Sequence, residues 1–379
     1  MHSVNLERYR NEFPITEQYT YLDHAGVAPI SLRVTRVVEE YLSEASGGAM
    51  FNYLHWIKRV KKVRMRCADL INADSHEIAF VKNTSHGLSI VANGLDWKEG
   101  DNMLVYEKEF PANIYPWLNL QRKGVDVRFI KSINSSLRIE DIEDLIDHRT
   151  RLFSISSVQF ANGFRIDLKK VGRLCKEKGI YLCVDAIQSL GVVPMDVKLF
   201  NIDFLSADGH KWLLSPEGTG IFYCRKELAE RLEPPLIGWK SVENELDFER
   251  IDLKLKDNAL RFEEASMNIM GIYALGASLD MLFEVGVDRI KDHVLDLGEI
   301  IIEEADKRGF DVISPRNKDS RGGIVVFGGN FDPQGVKEKL EQMSIMVNVR
   351  GGGIRVSPHF YNTKEDISVI FEAIDEILT

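Results

Sequence analysis

Lys211 stands in the stretch SADGHKWLLSPEGTG (206–220), directly after the apolar run IDFLSA and between His210 and Trp212. A lysine at the mouth of a buried strand does little for solubility. Desolvation there lowers its pKa toward the range where the neutral amine can act as a nucleophile or base. Other residues of reactive type fall at the ends of other strand-like runs. Asp185 and Gln188 follow IYLCVDA, Asp208 and His210 follow IDFLSA, Thr84, Ser85 and His86 follow IAFVKN, and Phe110 follows NMLVYEKE. In open α/β sheets, ligands bind beyond the carboxyl ends of the strands.

Taken singly, most of these residues have ordinary structural readings. Asp185 reads equally well as a helix N-cap, Ser85 as a cap and Phe110 as a core residue. Taken together they match one cofactor. A lysine can form an imine, an aspartate can pair with a protonated ring nitrogen, and an aromatic face can stack on a ring. Small hydroxyl residues at a helix start can hold a phosphate, because free N–H groups and the helix dipole favour an anion there. Pyridoxal phosphate (PLP) is the organic molecule that needs all four.

These positions require a sheet that brings strand ends together. Strand-like and helix-like runs alternate through the middle of the chain: IAFVKN then SHGLSIVANGL, NMLVYE then NIYPWLNLQRKG, DVRFI, RLFSISSV then LKKVGRLCKEKG, IYLCVDA, IDFLSA and GIFYCR. That alternation predicts an α/β fold with a largely parallel sheet. IYLCVD lacks polar alternation, as a strand covered on both faces should. In LKKVGRLCKEKG, Leu168, Val171, Leu174 and Cys175 recur at helical spacing, with Gly179 as the stop. Beyond about residue 250 long amphipathic helices appear, then the strand-like GGIVVFGG and GIRVS, then a last helix capped by Thr363. The expected organisation is an N-terminal segment (1–20), a large domain (21–250) and a smaller α+β domain (251–379).

Composition narrows the function classes. A formal net charge of −10 over 379 residues disfavours nucleic acid and anionic membranes as partners. No run approaches the ~18 apolar residues of a membrane span, and the charged N-terminus MHSVNLERYRNEF lacks a signal-peptide core. The four cysteines (Cys67, Cys175, Cys183, Cys224) show no CxxC spacing and read as buried free thiols of a reducing compartment, so a cytoplasmic location is expected and no metal site is implied. The basic run KRVKKVRMR (58–66) reads as the solvated side of a helix whose Ile57, Val60, Val63 and Cys67 face inward. No GxxxxGK[ST], strand-linked GxGxxG or HExxH occurs.

The chain resembles the class V aminotransferase family, which includes cysteine desulfurases, selenocysteine lyases and isopenicillin epimerase-like proteins. The resemblance is carried by YLDHAGVAP (21–29), NTSHGLSIVANGL (83–95), EFPANIYPW (109–117), VDAIQSLGVVPMDV (184–197), FLSADGHKWLLSPEGTG (204–220), RFEEASMN (261–268) and IRVSPHFYNT (354–363). It implies a fold-type I PLP enzyme with a mostly parallel seven-stranded sheet, working on a small amino acid as a homodimer with sites at the interface. It further implies that Lys211 binds the cofactor as an imine and later moves the Cα proton. Asp185 would pair with the pyridinium nitrogen, Gln188 with the phenolic oxygen, and Phe110 would stack where desulfurases usually carry histidine. Ser85, the backbone at His86, His210 and Ser266 from the neighbouring subunit would hold the phosphate. Arg355 would take the substrate α-carboxylate, a bidentate task suited to guanidinium.

Three departures from the family pattern stand out. Asp208 occupies a place that often holds a hydroxyl phosphate ligand, so it is expected to point elsewhere or to act through water. QFANG leaves Phe160 where relatives place a hydrogen-bonding side chain, with Gln159 or Asn162 as substitutes. VNVRGGGIRVSP carries only glycines where desulfurases have a loop cysteine, so a persulfide-forming desulfurase is not expected. Transamination is the first reading, a C–S or C–Se lyase or epimerase without a persulfide cysteine the alternative, and a non-catalytic partner protein the third.

Overall fold

The computed structural model describes residues 7–132 and 137–379; the first six residues of the expected N-terminal segment lie outside it. The seven strand-like runs between residues 78 and 225 form one sheet. In chain order, helices α1 (Leu32–Gly47) and α2 (Tyr53–Ile71) precede β1 (Ile78–Val81), α3 (Thr84–Gly94), β2 (Asn102–Tyr106), β3 (Asp126–Ile130) and β4 (Thr150–Ser156). Then come α4 (Leu168–Lys178), β5 (Tyr181–Asp185), β6 (Phe204–Asp208) and β7 (Gly220–Cys224). The sheet order is β1-β7-β6-β5-β4-β2-β3. Only β7 runs against the rest, pairing antiparallel with both β6 and β1. β2, β5, β6 and β7 are buried along their whole length apart from Tyr181, which explains their unbroken apolar runs.

The chain leaves β2 for the edge strand β3 and returns on the other side of β2 as β4. That reversal opens a crevice at the carboxyl ends of β2 and β4, where α/β sheets bind ligands. Helix α4 ends on Gly179, whose φ of 69° is the left-handed stop that the sequence predicts. On α2, Val60, Val63 and Cys67 are buried and Ile57 partly so. One member of the basic run departs from the solvated-face reading. Arg64 is buried and forked onto Glu263, with Nη1 at 2.6 Å and Nη2 at 3.0 Å from its carboxylate oxygens.

Helices α5 (Ile269–Val285) and α6 (Val287–Lys307) follow, with α5 packed on α1 and α2. The chain continues with β8 (Asp311–Val312), β9 (Val325–Gly328), α7 (Pro333–Gln342), β10 (Asn348–Arg350), β11 (Gly353–Val356) and α8 (Lys364–Leu378). The four strands form an antiparallel sheet in the order β10-β11-β9-β8. Thr363 caps α8 in a capping box with Asp366. The segment 20–28 crosses between the two sheets. Thr20–Tyr21 pairs with Ile345–Met346, Ser357 N donates to Leu22 O at 2.7 Å, and Ala28 N donates to His210 O at 2.8 Å. Among the described residues, no single helix is long and apolar enough to cross a membrane.

Candidate active site

Asp185 ends β5 with its side chain buried. One carboxylate oxygen accepts the Ile187 N–H at 3.0 Å, and the side chain makes no other hydrogen bond among the described residues. Burial pushes its pKa up to about 7, the neighbouring Glu109 charge adds to the rise, and the Ile187 bond and the Lys211 charge oppose it. Lys211 follows β6, and burial pulls its amine down to about 8, with Asp185 opposing. Among the described residues the amine has no hydrogen bond or ion pair; its nitrogen lies 5.7 Å from the centroid of the Phe110 ring. A buried amine and a buried carboxylate thus sense each other without touching. Acetic anhydride labelling of Lys211 in the apoprotein, followed by mass spectrometry, should reach half its maximal rate near pH 8. A midpoint near that of a free lysine, about 10.4, would overturn this picture of its surroundings.

Phe110 follows β2 and is 44% exposed, so it is not a core residue. Its ring packs edge-on against Phe160 at 5.1 Å. Gln188 is buried and engaged at both ends: Oε1 accepts the Trp212 indole N–H at 2.8 Å and Nε2 donates to Ala25 O at 3.1 Å. One amide hydrogen remains for a ligand. Trp212 is anchored again where His359 Nε2 meets its carbonyl at 3.1 Å. Because His359 Nδ1 accepts the Phe360 N–H, the proton sits on Nε2, and burial holds this imidazole neutral. Gly191, with φ of 97°, passes so close that an added Cβ would lie 2.2 Å from Trp212 O.

At the start of α3, Asn83 Oδ1 accepts the His86 N–H at 2.9 Å. The backbone donor expected at His86 is therefore used by the cap. The N–H groups of Thr84 and Ser85 carry no such bond among the described residues, and the Ser85 side chain is exposed. Gly87 lets this helix start approach β6, since a Cβ there would sit 2.2 Å from Ser206 Oγ. Asp208 is engaged locally: Oδ1 accepts the Gly209 N–H at 2.7 Å, and Oδ2 lies 3.0 Å from Nδ1 of His210, itself a candidate phosphate residue. His210 Nδ1 makes no hydrogen bond among the described residues. Ser266 is exposed on the loop before α5.

Arg355, on β11, is buried and already paired. Nη2 donates to Asp23 Oδ1 at 2.9 Å and Nη1 to Phe160 O at 3.2 Å. Phe160 thus links Arg355 to Phe110 and Lys211. Gln159 is tied to Glu109, its Nε2 donating to Oε1 at 2.6 Å, and Asn162 Oδ1 accepts the Phe164 N–H.

Two polar residues of this crevice escape the sequence reading. Glu109 is buried and accepts the N–H and hydroxyl of Ser156, whose strand partner is Asp185. The end-of-strand rule covers it, but KEF reads as a charged turn. Asp23 has no local signal, because its partner lies 332 positions away.

PLP chemistry fits these donors. An unpaired buried amine, a buried carboxylate with spare acceptor capacity, an exposed aromatic face and a helix start with free N–H groups share one crevice. The Aminotransferase class-V family pattern matches residues 20–370. The chain is 34% identical to a probable cysteine desulfurase of Methanothermobacter thermautotrophicus, over 99% of this chain and 98% of that protein. It superposes on the apo cysteine desulfurase of Thermococcus onnurineus NA1 with a TM-score of 0.92 at 28% identity, covering 100% and 99% of the two chains. The fold is also that of C-DES, seen as a lysine-to-alanine mutant with glycine covalently linked to its PLP cofactor, at a TM-score of 0.90 and 21% identity, covering 96% and 98%. The chain is a member of the class V aminotransferase family and a PLP-dependent enzyme.

Proposed function

We propose that this enzyme is a C–S lyase acting on a small sulfur-containing L-amino acid of the cysteine type, without a cysteine of its own in the chemistry. This reading replaces transamination as the first choice, because a relative 34% identical over nearly the whole chain is named a probable cysteine desulfurase. The observation that carries the second half is the placement of the thiols. All four cysteines are buried; burial pushes Cys67 and Cys175 up to about 12 and raises Cys183 and Cys224 as well. A persulfide-forming cysteine needs a mobile thiolate, and none of these sites supports one. The tip between β10 and β11 is Gly351–Gly352, both at positive φ (61° and 90°), a tight turn rather than a reaching loop.

When bound, PLP supplies an electron sink for the pair left at the substrate Cα. In this reading Lys211 holds the cofactor and then takes the Cα proton. Asp185 keeps a proton at the ring nitrogen, Phe110 covers the ring, and the spare amide hydrogen of Gln188 reaches its phenolic oxygen. The start of α3, Ser85 and His210 receive the phosphate, and Arg355 receives the α-carboxylate. Exposed Ser266 would complete the phosphate site of a second copy. A homodimer is further supported by the apolar side chains on the segment before it: Leu246, Phe248 and Leu253 are exposed, and Ile251 is 93% exposed. Four free thiols accord with a reducing compartment.

Products distinguish the reactions. Elimination converts L-cysteine and water into pyruvate, ammonia and hydrogen sulfide. Persulfide transfer instead leaves alanine, and transamination makes a new amino acid from an added 2-oxo acid. Pyruvate and sulfide in equal amounts are expected from the holoenzyme. Each cysteine-to-alanine variant should retain turnover within about threefold, as expected of thiols outside the chemistry. Alanine as the product, with a persulfide on one cysteine by mass spectrometry, would overturn the proposal.

A further inference from the structure

Arg355 and Asp23 form an ion pair whose geometry has a functional consequence. The Arg355 side chain is 3% exposed and that of Asp23 is 14% exposed, so the carboxylate lies on the more open side of the pair. Arg355 does not depend on Asp23 alone, since Phe160 O also accepts from Nη1. Its Nε is buried without a partner among the described residues. Asp23 gives the guanidinium only one oxygen. The other, Oδ2, is held by Asn348 Nδ2 at 2.8 Å. Asn348 pairs with Arg355 across β10 and β11, so both side chains lie on one face of the hairpin. The carboxylate has room because residue 26 is glycine: a Cβ there would lie 2.3 Å from Asp23 Oδ2.

We propose that Asp23 is an internal competitor for the substrate carboxylate. It occupies Arg355 in the free enzyme and is displaced when the α-carboxylate of an amino acid binds. The inference rests on the assignment of Arg355 as the carboxylate-binding residue. A single-pronged contact from Asp23 is exchanged for a two-pronged one from the ligand, and charge-assisted forked pairs are the stronger kind. The exchange also spares the protein a bare buried guanidinium at every stage, which would be costly. Asp23 thereby sets a threshold: an anion gains only the difference between its own contact and that of Asp23. Weak monocarboxylates are held off, while an amino acid adds the contacts made by its amine at the cofactor.

The test uses propionate, which has a carboxylate and no amine, titrated calorimetrically into the holoenzyme. Asp23→Asn keeps the shape and an acceptor for Nη2 but removes the competing charge. It should tighten propionate about tenfold, the size of one charge-assisted contact. Asn348→Ala frees the second oxygen of Asp23 to fork onto Arg355 and should weaken propionate about threefold. If Asp23→Asn fails to fold, the Asn348 variant decides the matter alone. Propionate binding that does not tighten in Asp23→Asn, or does not weaken in Asn348→Ala, overturns the competitor role and leaves Asp23 as a support for the arginine. Arg355→Gln serves as the separate control: undiminished propionate binding in that variant would reject the carboxylate assignment of Arg355 itself.

Discussion

Replacing Lys211 by alanine is expected to abolish turnover, with a loss of about 10⁴-fold or more, while the fold persists. The proposed roles of this amine, holding the cofactor and moving the Cα proton, have no second candidate in the crevice. Lys82 and Lys108, the lysines nearest in sequence to other site elements, are both exposed, and Lys82 lies near Glu264. Nucleophilic and proton-transfer contributions of this kind are each worth about 10² to 10⁴ in rate, and both go with one side chain. The fold should not suffer, because burial already disfavours the charged amine and no hydrogen bond or ion pair of Lys211 is lost. Borohydride treatment of the PLP-loaded variant should leave no cofactor on the protein, and the variant apoprotein should melt at or above the temperature of the parent apoprotein. PLP trapped on the alanine variant would move the role to another lysine.

The strand ends were legible because the sheet is buried. Strands such as YLCVD and FLSAD leave apolar runs too plain to mistake, and polar residues at their carboxyl ends stand out against them. Lys211, Asp185, Gln188, His210 and Phe110 stand out in the sequence for that reason. The bonds among them were less legible. Gln188 is tied to Trp212 and Ala25, and the His86 N–H is tied to Asn83, through side-chain geometry that no spacing encodes. Leu214 is a further case: it adopts φ of 55°, which a β-carbon disfavours, beside the Lys211 turn. Ser278 of α5 donates to the carbonyls of Leu213 and Leu214 at 2.6 and 2.8 Å, so tertiary structure holds a conformation that local preference opposes. Asp23 and Arg355 meet only because segment 20–28 is stitched between the sheets, a fact of topology rather than of motif.

Asp185→Asn is expected to bind PLP and yet slow Cα deprotonation on the order of a thousandfold, the scale seen when a pre-organised charge at a reacting centre is removed. Asparagine preserves the shape, and its oxygen can still accept the Ile187 N–H, so the turn after β5 should survive. What disappears is the negative charge that would keep a proton at the ring nitrogen. The same substitution has a second readout that needs no catalysis. In the apoprotein, burial raises the Asp185 pKa to about 7, whereas the unfolded chain titrates it near the ordinary value of about 4. Between those values the folded state holds a proton that the unfolded state has released. Stability contributed by this group therefore falls as pH rises through the window, and the full penalty is present above about pH 7. Asparagine carries no such penalty. The apoprotein variant should melt at a higher temperature than the parent at about pH 7.5, and the gap should close as pH falls toward about 4. A gap that is constant with pH would mean that Asp185 is not buried as the structure places it. Near-normal deprotonation in the loaded variant, with the pH-dependent gap intact, would leave Asp185 as a buried cap with no part in holding the ring proton.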